Sequence, residues 1–175
     1  MENPKKIAVN LGIVLGVVLV LIATIVYATD LSLFTSAWYG VGSFLLVSGF
    51  GIASGIKTKK EMGGFINFKQ TFRAFFITVF IGFLLSTLFS MLLLNVIDPE
   101  AKQAITDAVI KSTVEMMEKF GTPTSAIDEM VAEMESKDSF GPLGQLQGFV
   151  FNILFYCIIG LIASLVIKRD RPESL

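Results

Sequence analysis

The chain has 175 residues, of which 53% are hydrophobic and 17% charged, where a soluble domain carries about 25% charged residues. Its net charge of −1 argues against a nucleic-acid partner. The absence of histidine removes the commonest general base and zinc ligand, and a single cysteine, Cys157, rules out an intramolecular disulfide.

Four charge-free segments account for the deficit. Residues 7–27 ("IAVNLGIVLGVVLVLIATIVY"), 38–56, 74–97 and 149–167 are 21, 19, 24 and 19 residues long. As helices they reach roughly 28–36 Å, which matches a hydrocarbon core of about 30 Å. Lipid leaves only helices or closed barrels as spanning structures, and unbroken apolar runs predict helices. The first run, though preceded by Lys5 and Lys6, exceeds the about 7–15 residues of a signal-peptide core and is expected to stay as a span. The predicted fold class is therefore an all-α integral membrane protein, a single membrane domain with four transmembrane helices arranged as two hairpins.

Basic residues assign the orientation. Ten of the fourteen lie before the first segment, between the second and third, or after the fourth: Lys5, Lys6, Lys57, Lys59, Lys60, Lys69, Arg73, Lys168, Arg169 and Arg171. The positive-inside bias then puts both termini and the basic loop 57–73 in the cytoplasm. Tyr27, Trp38 and Tyr39 fall at the opposite boundary, where amphipathic aromatics anchor spans.

Within "KTKKEMGGFINFKQTFRAFF", residues 57–76, the aromatics Phe65, Phe68, Phe72 and Phe76 recur at helical spacing. Asn67 and Gln70 have capping-box spacing, and Gly63-Gly64 break the chain before them. The expectation is an amphipathic interfacial helix that runs into the third span. Lys57, Lys59, Lys60, Lys69 and Arg73 would meet lipid headgroups, with Phe65, Phe68 and Phe72 in the interface.

Residues 98–145 hold ten acids and four lysines, a net charge of −6. Asp98-Pro99 predicts a helix start and Gly121 its end, with Asp107/Lys111 and Glu115/Lys119 as i,i+4 pairs. Ile105, Val109, Met116 and Phe120 share a face. A second helix is predicted from "TSAIDEMVAEMESK", with Ser125 and Asp128 at capping-box spacing. Its apolar stripe Ile127, Met130, Val131 and Met134 either packs within the loop, lies on the membrane or forms a partner-binding face. The neighbouring acids Asp128, Glu129 and Glu133 lack the glycine-containing ligand loop of calcium sites and read as a solvated face. No metal or cofactor is expected.

The spans contain no Asp, Glu, Lys, Arg or His, which argues against proton-coupled transport, ion pumping and a carboxylate-based intramembrane protease. Small residues recur four apart in every span, as in Gly12/Gly16, Gly51/Gly55, Gly82/Ser86 and Gly160/Ser164, a spacing that lets helices approach closely. Asn152 and Tyr156 share a face of the fourth span and would line any polar path through it.

The motifs "GGFINFKQTFRAFF" and "NVIDPE", with the four segments and the long helical loop, resemble a family of small bacterial inner-membrane proteins classed as a domain of unknown function. The resemblance implies the same architecture and a bacterial inner-membrane setting, and brings no catalytic residues with it. The expected function is that of a non-enzymatic scaffold or accessory subunit in contact with the lipid bilayer and with a protein partner or a second copy. A small, oligomeric transporter or channel is the alternative.

Overall fold

Asn3 opens the first helix, α1 (Pro4–Thr29): its side chain accepts from the Lys5 amide, and Pro4 takes the first turn, where its missing N–H costs nothing. The structure, a computed structural model, describes residues 3–170. Arg171, counted above among the basic residues, lies outside the described residues.

A 3₁₀ turn (Leu31–Thr35), capped by Asp30, leads into α2 (Ala37–Glu61). Gly63 and Gly64 then adopt left-handed backbone, with φ of 77° and 87°, and turn the chain. The expected capping box forms: the Gln70 amide donates to Asn67 Oδ1 at 2.9 Å, and the Asn67 amide to Gln70 Oε1 at 3.1 Å. It starts α3 (Phe68–Leu92), which ends in a π-turn, Leu93–Ile97.

Asp98 caps α4 (Pro99–Lys119) by accepting from the Ala101 amide at 3.1 Å. Gly121 at φ 73° ends it. α5 (Thr124–Ser136) and α6 (Pro142–Ile167) follow. Among the described residues there are six α-helices and no strand, only an isolated antiparallel bridge between Ile66 and Arg169. Four of the helical segments, Pro4–Thr29, Ala37–Glu61, Phe68–Ile97 and Pro142–Ile167, are long and apolar enough to cross a membrane.

α3 is the hub of the bundle and packs on α1, α2 and α6. Phe75, 1% exposed, wedges between two glycines. A Cβ on Gly51 would lie 2.5 Å from its ring and one on Gly160 2.7 Å, so any larger residue would push α2 or α6 off α3. Across the other seam, a Cβ on Gly12 would come within 2.8 Å of Ile81, and one on Gly82 within 2.6 Å of Leu15. The small residues at four-residue spacing thus serve packing inside the bundle.

Buried hydroxyls close the same seams. Thr78 Oγ1 lies 3.0 Å from the Ala8 carbonyl of α1 and 2.8 Å from Ser54 Oγ of α2. The faces turned away from this core are apolar too: Leu21, Leu45, Leu88, Phe151 and Val166 are all exposed. An apolar exterior of this extent is foreign to a soluble monomer and suits acyl chains.

Four local expectations differ from the structure. Phe65 precedes α3 and does not share its face. The Ser125/Asp128 capping box does not form: Pro123, with φ −59° and ψ 141°, is itself the cap residue, so Ser125 is already inside the helix. Asp107 accepts from Gln103 Nε2 instead of pairing with Lys111. Among the described residues, the ion pairs are Lys102–Asp138, at 3.0 Å, and Glu133–Lys137, and Glu115/Lys119 is not one of them.

Candidate functional site

The chain's chemistry gathers at the two ends of the bundle. At the basic end the link between α2 and α3 meets the tail of α6. The Ile66 amide donates to the Arg169 carbonyl at 2.9 Å, and the Arg169 amide returns the bond at 2.8 Å. The Arg169 guanidinium lies 5.5 Å from the Phe65 ring centroid, within cation–π range. Lys59 Nζ donates to the Ile167 carbonyl at 2.8 Å and so satisfies the C-terminus of α6, where a cation also meets the negative end of the helix dipole. Lys57, Lys60, Lys69 and Arg73 are exposed around this junction.

Phe68, Phe72, Phe76 and Phe80 stack along α3 with centroids 6.4, 6.1 and 5.7 Å apart, and Phe149 of α6 closes the row edge-on at 5.5 Å. These rings are half-buried, and the row runs from the basic end into the bundle. Phe80 and Phe149 extend it beyond the aromatics singled out from sequence.

Between α1, α2 and α3 at this end is a cavity of about 240 Å³, lined by Lys5, Thr58, Gln70 and Arg73 at its polar side and by Ala8, Ala74 and Ile77 elsewhere. Thr58 and Lys5 were not among the expected site residues. Thr58 sits in a charged run whose lysines dominate the sequence pattern, and only tertiary packing turns it inward.

At the acidic end α4 packs its first turns on the 3₁₀ turn and the π-turn. Ala101 and Ile105 join Leu93 and Leu94 in a small apolar cluster there. Tyr27 Oη of α1 donates to Asp98 Oδ2 at 2.6 Å. That bond, followed by the Ala101 amide, holds the Asp98 carboxyl below its ordinary value. Asn95, inside the π-turn, donates to the Phe140 carbonyl at 3.2 Å and ties the segment before α6 to the same place. The π-turn brings this contact about: one residue wider than an α-turn, it turns Asn95 toward Phe140 before Pro99 restarts the chain.

Farther out the cover thins. Of the expected partner face, Ile127 is buried, Val131 and Met134 are half-buried and Met130 is exposed. On α4 the same gradient runs from buried Ile105 through half-buried Val109 to exposed Met116, and Phe120 just past its end is 83% exposed.

Asn152 and Tyr156 do not meet in one cavity. Asn152 faces outward and donates to the Gly148 carbonyl of its own helix at 2.8 Å. Tyr156 is buried against Phe44 and Phe83.

The fold is thus an all-α bundle of four helices of membrane-crossing length, basic at one end and capped at the other by an acidic helical hairpin. The chain belongs to the family described as protein of unknown function (DUF4199), which matches residues 10–169. No curated protein and no solved structure matches it.

Proposed function

We propose that the chain is a non-enzymatic integral membrane protein, a scaffold or accessory subunit of the bacterial inner membrane, whose basic end lies in the cytoplasm. The acidic hairpin α4–α5 is then extracytoplasmic and is the element that engages a partner. The observation that carries this reading is the hairpin's far end, where Met116, Phe120 and Met130 stand exposed among acids. A net charge of −6 on residues 98–145 gives anionic lipid no attraction for this surface. It suits a protein with an apolar recess ringed by lysine and arginine, since opposite potentials steer such pairs together.

A photo-cross-linking residue in place of Phe120, activated in native membranes, tests it. The expected product is one discrete heterologous protein adduct that fades at high salt and in the Glu115→Gln/Glu118→Gln variant. Adducts to lipid alone, to a second copy alone, or none, would overturn the accessory-subunit reading.

A further inference from the structure

The cavity at the basic end has the makings of an anion site that a merely solvated lysine face lacks. Lys5 and Arg73 border it from α1 and α3, and neither has an ion-pair partner among the described residues. No acid is among the described residues that line it. Gln70 spends its Oε1 on the Asn67 amide, so the end of its side chain that remains is a donor. Thr58 is the most telling member: it lines the cavity, is 2% exposed, and its Oγ1 has no hydrogen-bond partner among the described residues. A buried hydroxyl without a partner costs stability unless something supplies one.

The first amides of α1 do not belong to the site, because Lys5 is capped by the Asn3 side chain and Lys6 and Ile7 donate to the Asn3 carbonyl. The positive end of the α1 dipole still adds to the potential there. The wall formed by Ala8, Ala74 and Ile77 is apolar. Cations, an amide donor and a buried hydroxyl on one side, with an apolar wall on the other, describe the boundary of an amphiphile.

We propose that this cavity binds one phosphate ester anion, with the phosphate oxygens between Lys5 and Arg73 and within reach of Gln70 and Thr58. The apolar wall favours the phosphodiester of an anionic phospholipid over a soluble phosphate. The lipid form of the proposal rests on the basic end lying at the bilayer interface; the phosphate chemistry itself does not.

The full chain, purified in a zwitterionic detergent, provides the test by thermal unfolding with added phosphatidylglycerol, phosphatidylcholine or inorganic phosphate at constant ionic strength. Phosphatidylglycerol at a hundredfold excess over its Kd is expected to raise the Tm by about 7 °C, and phosphatidylcholine to leave it unchanged. Arg73→Gln and Thr58→Val each remove most of that rise, whereas Lys60→Gln, equally basic but outside the cavity, keeps it. Thr58→Val replaces an unpartnered hydroxyl with a methyl, so without lipid this variant is expected to be at least as stable as the parent chain.

A rise produced equally by inorganic phosphate, and lost in the same variants, supports the site and assigns it to a soluble anion. Equal loss in Lys60→Gln, or full retention in Thr58→Val and Arg73→Gln, overturns the site in favour of diffuse surface charge. No rise with either phosphate source overturns it as well. None of these outcomes involves the acidic hairpin, so the partner reading stands or falls separately.

Discussion

Asp98 does three things at once: it caps α4, accepts from Tyr27 Oη across the end of the bundle, and precedes the proline that ends the third span. Its carboxyl is held below the ordinary value of 3.8, first by the Tyr27 hydroxyl and then by the Ala101 amide. The sign follows from linkage. A depressed folded-state value stabilises the folded hairpin above the unfolded value and loses that contribution as pH falls through the depressed one. The junction of α1 and α4 is therefore expected to be intact from neutrality to about pH 4 and to loosen below it. Hydrogen-exchange protection over residues 99–105, taken relative to the intrinsic rate at each pH, measures this, and in Asp98→Asn the protection should be lower at pH 7 and nearly independent of pH. The roles of Asp98 as cap and Asn67 as half of a capping box were legible from spacing, since a cap and its amide lie three residues apart. The Tyr27 bond was not, because 71 residues separate the two groups.

At the scale of elements, α3 carries the organisation. It starts at a capping box, presents Phe68, Phe72, Phe76 and Phe80 along one row, buries Phe75 between glycines of α2 and α6, and ends in a π-turn. Replacing Asn67 by Ala removes the bond to the Gln70 amide and is expected to cost about 1 kcal/mol, read as a lower midpoint in denaturant titration of the solubilised protein. The helical period of α3 is visible in its phenylalanines. The exclusion of Phe65 from that row is not, because the glycine turn and the bridge from Ile66 to Arg169 place it under the α6 tail instead. The Ser125/Asp128 spacing misled for a related reason. A proline at the cap position sets its own backbone angle and starts α5 before Ser125 can act.

For the whole molecule, the distribution of charge is the most consequential property. One end of the bundle gathers Lys5, Lys57, Lys59, Lys60, Lys69, Arg73 and Arg169, and the other carries the acidic hairpin. Under the positive-inside bias, reporter fusions at Lys60 and at Gly121 are expected to score on opposite sides of the membrane, cytoplasmic and extracytoplasmic respectively. Scores on the same side would overturn the orientation.

Composition and periodicity alone determined that this is an all-α chain with four helices of membrane-crossing length and an additional pair in an acidic loop. Those features are local: hydrophobic run length, caps and turn residues act over a few neighbours or one helical turn. Only the tertiary structure decided that α3 is the hub, that Lys59 serves the end of α6, that Asn152 and Tyr156 point apart, and that Thr58 closes a cavity with Lys5 and Arg73. Each of these depends on which helix faces which, and in an apolar chain that choice is made by the shapes of glycines and phenylalanines in contact, a quantity that no spacing of residues along one helix encodes.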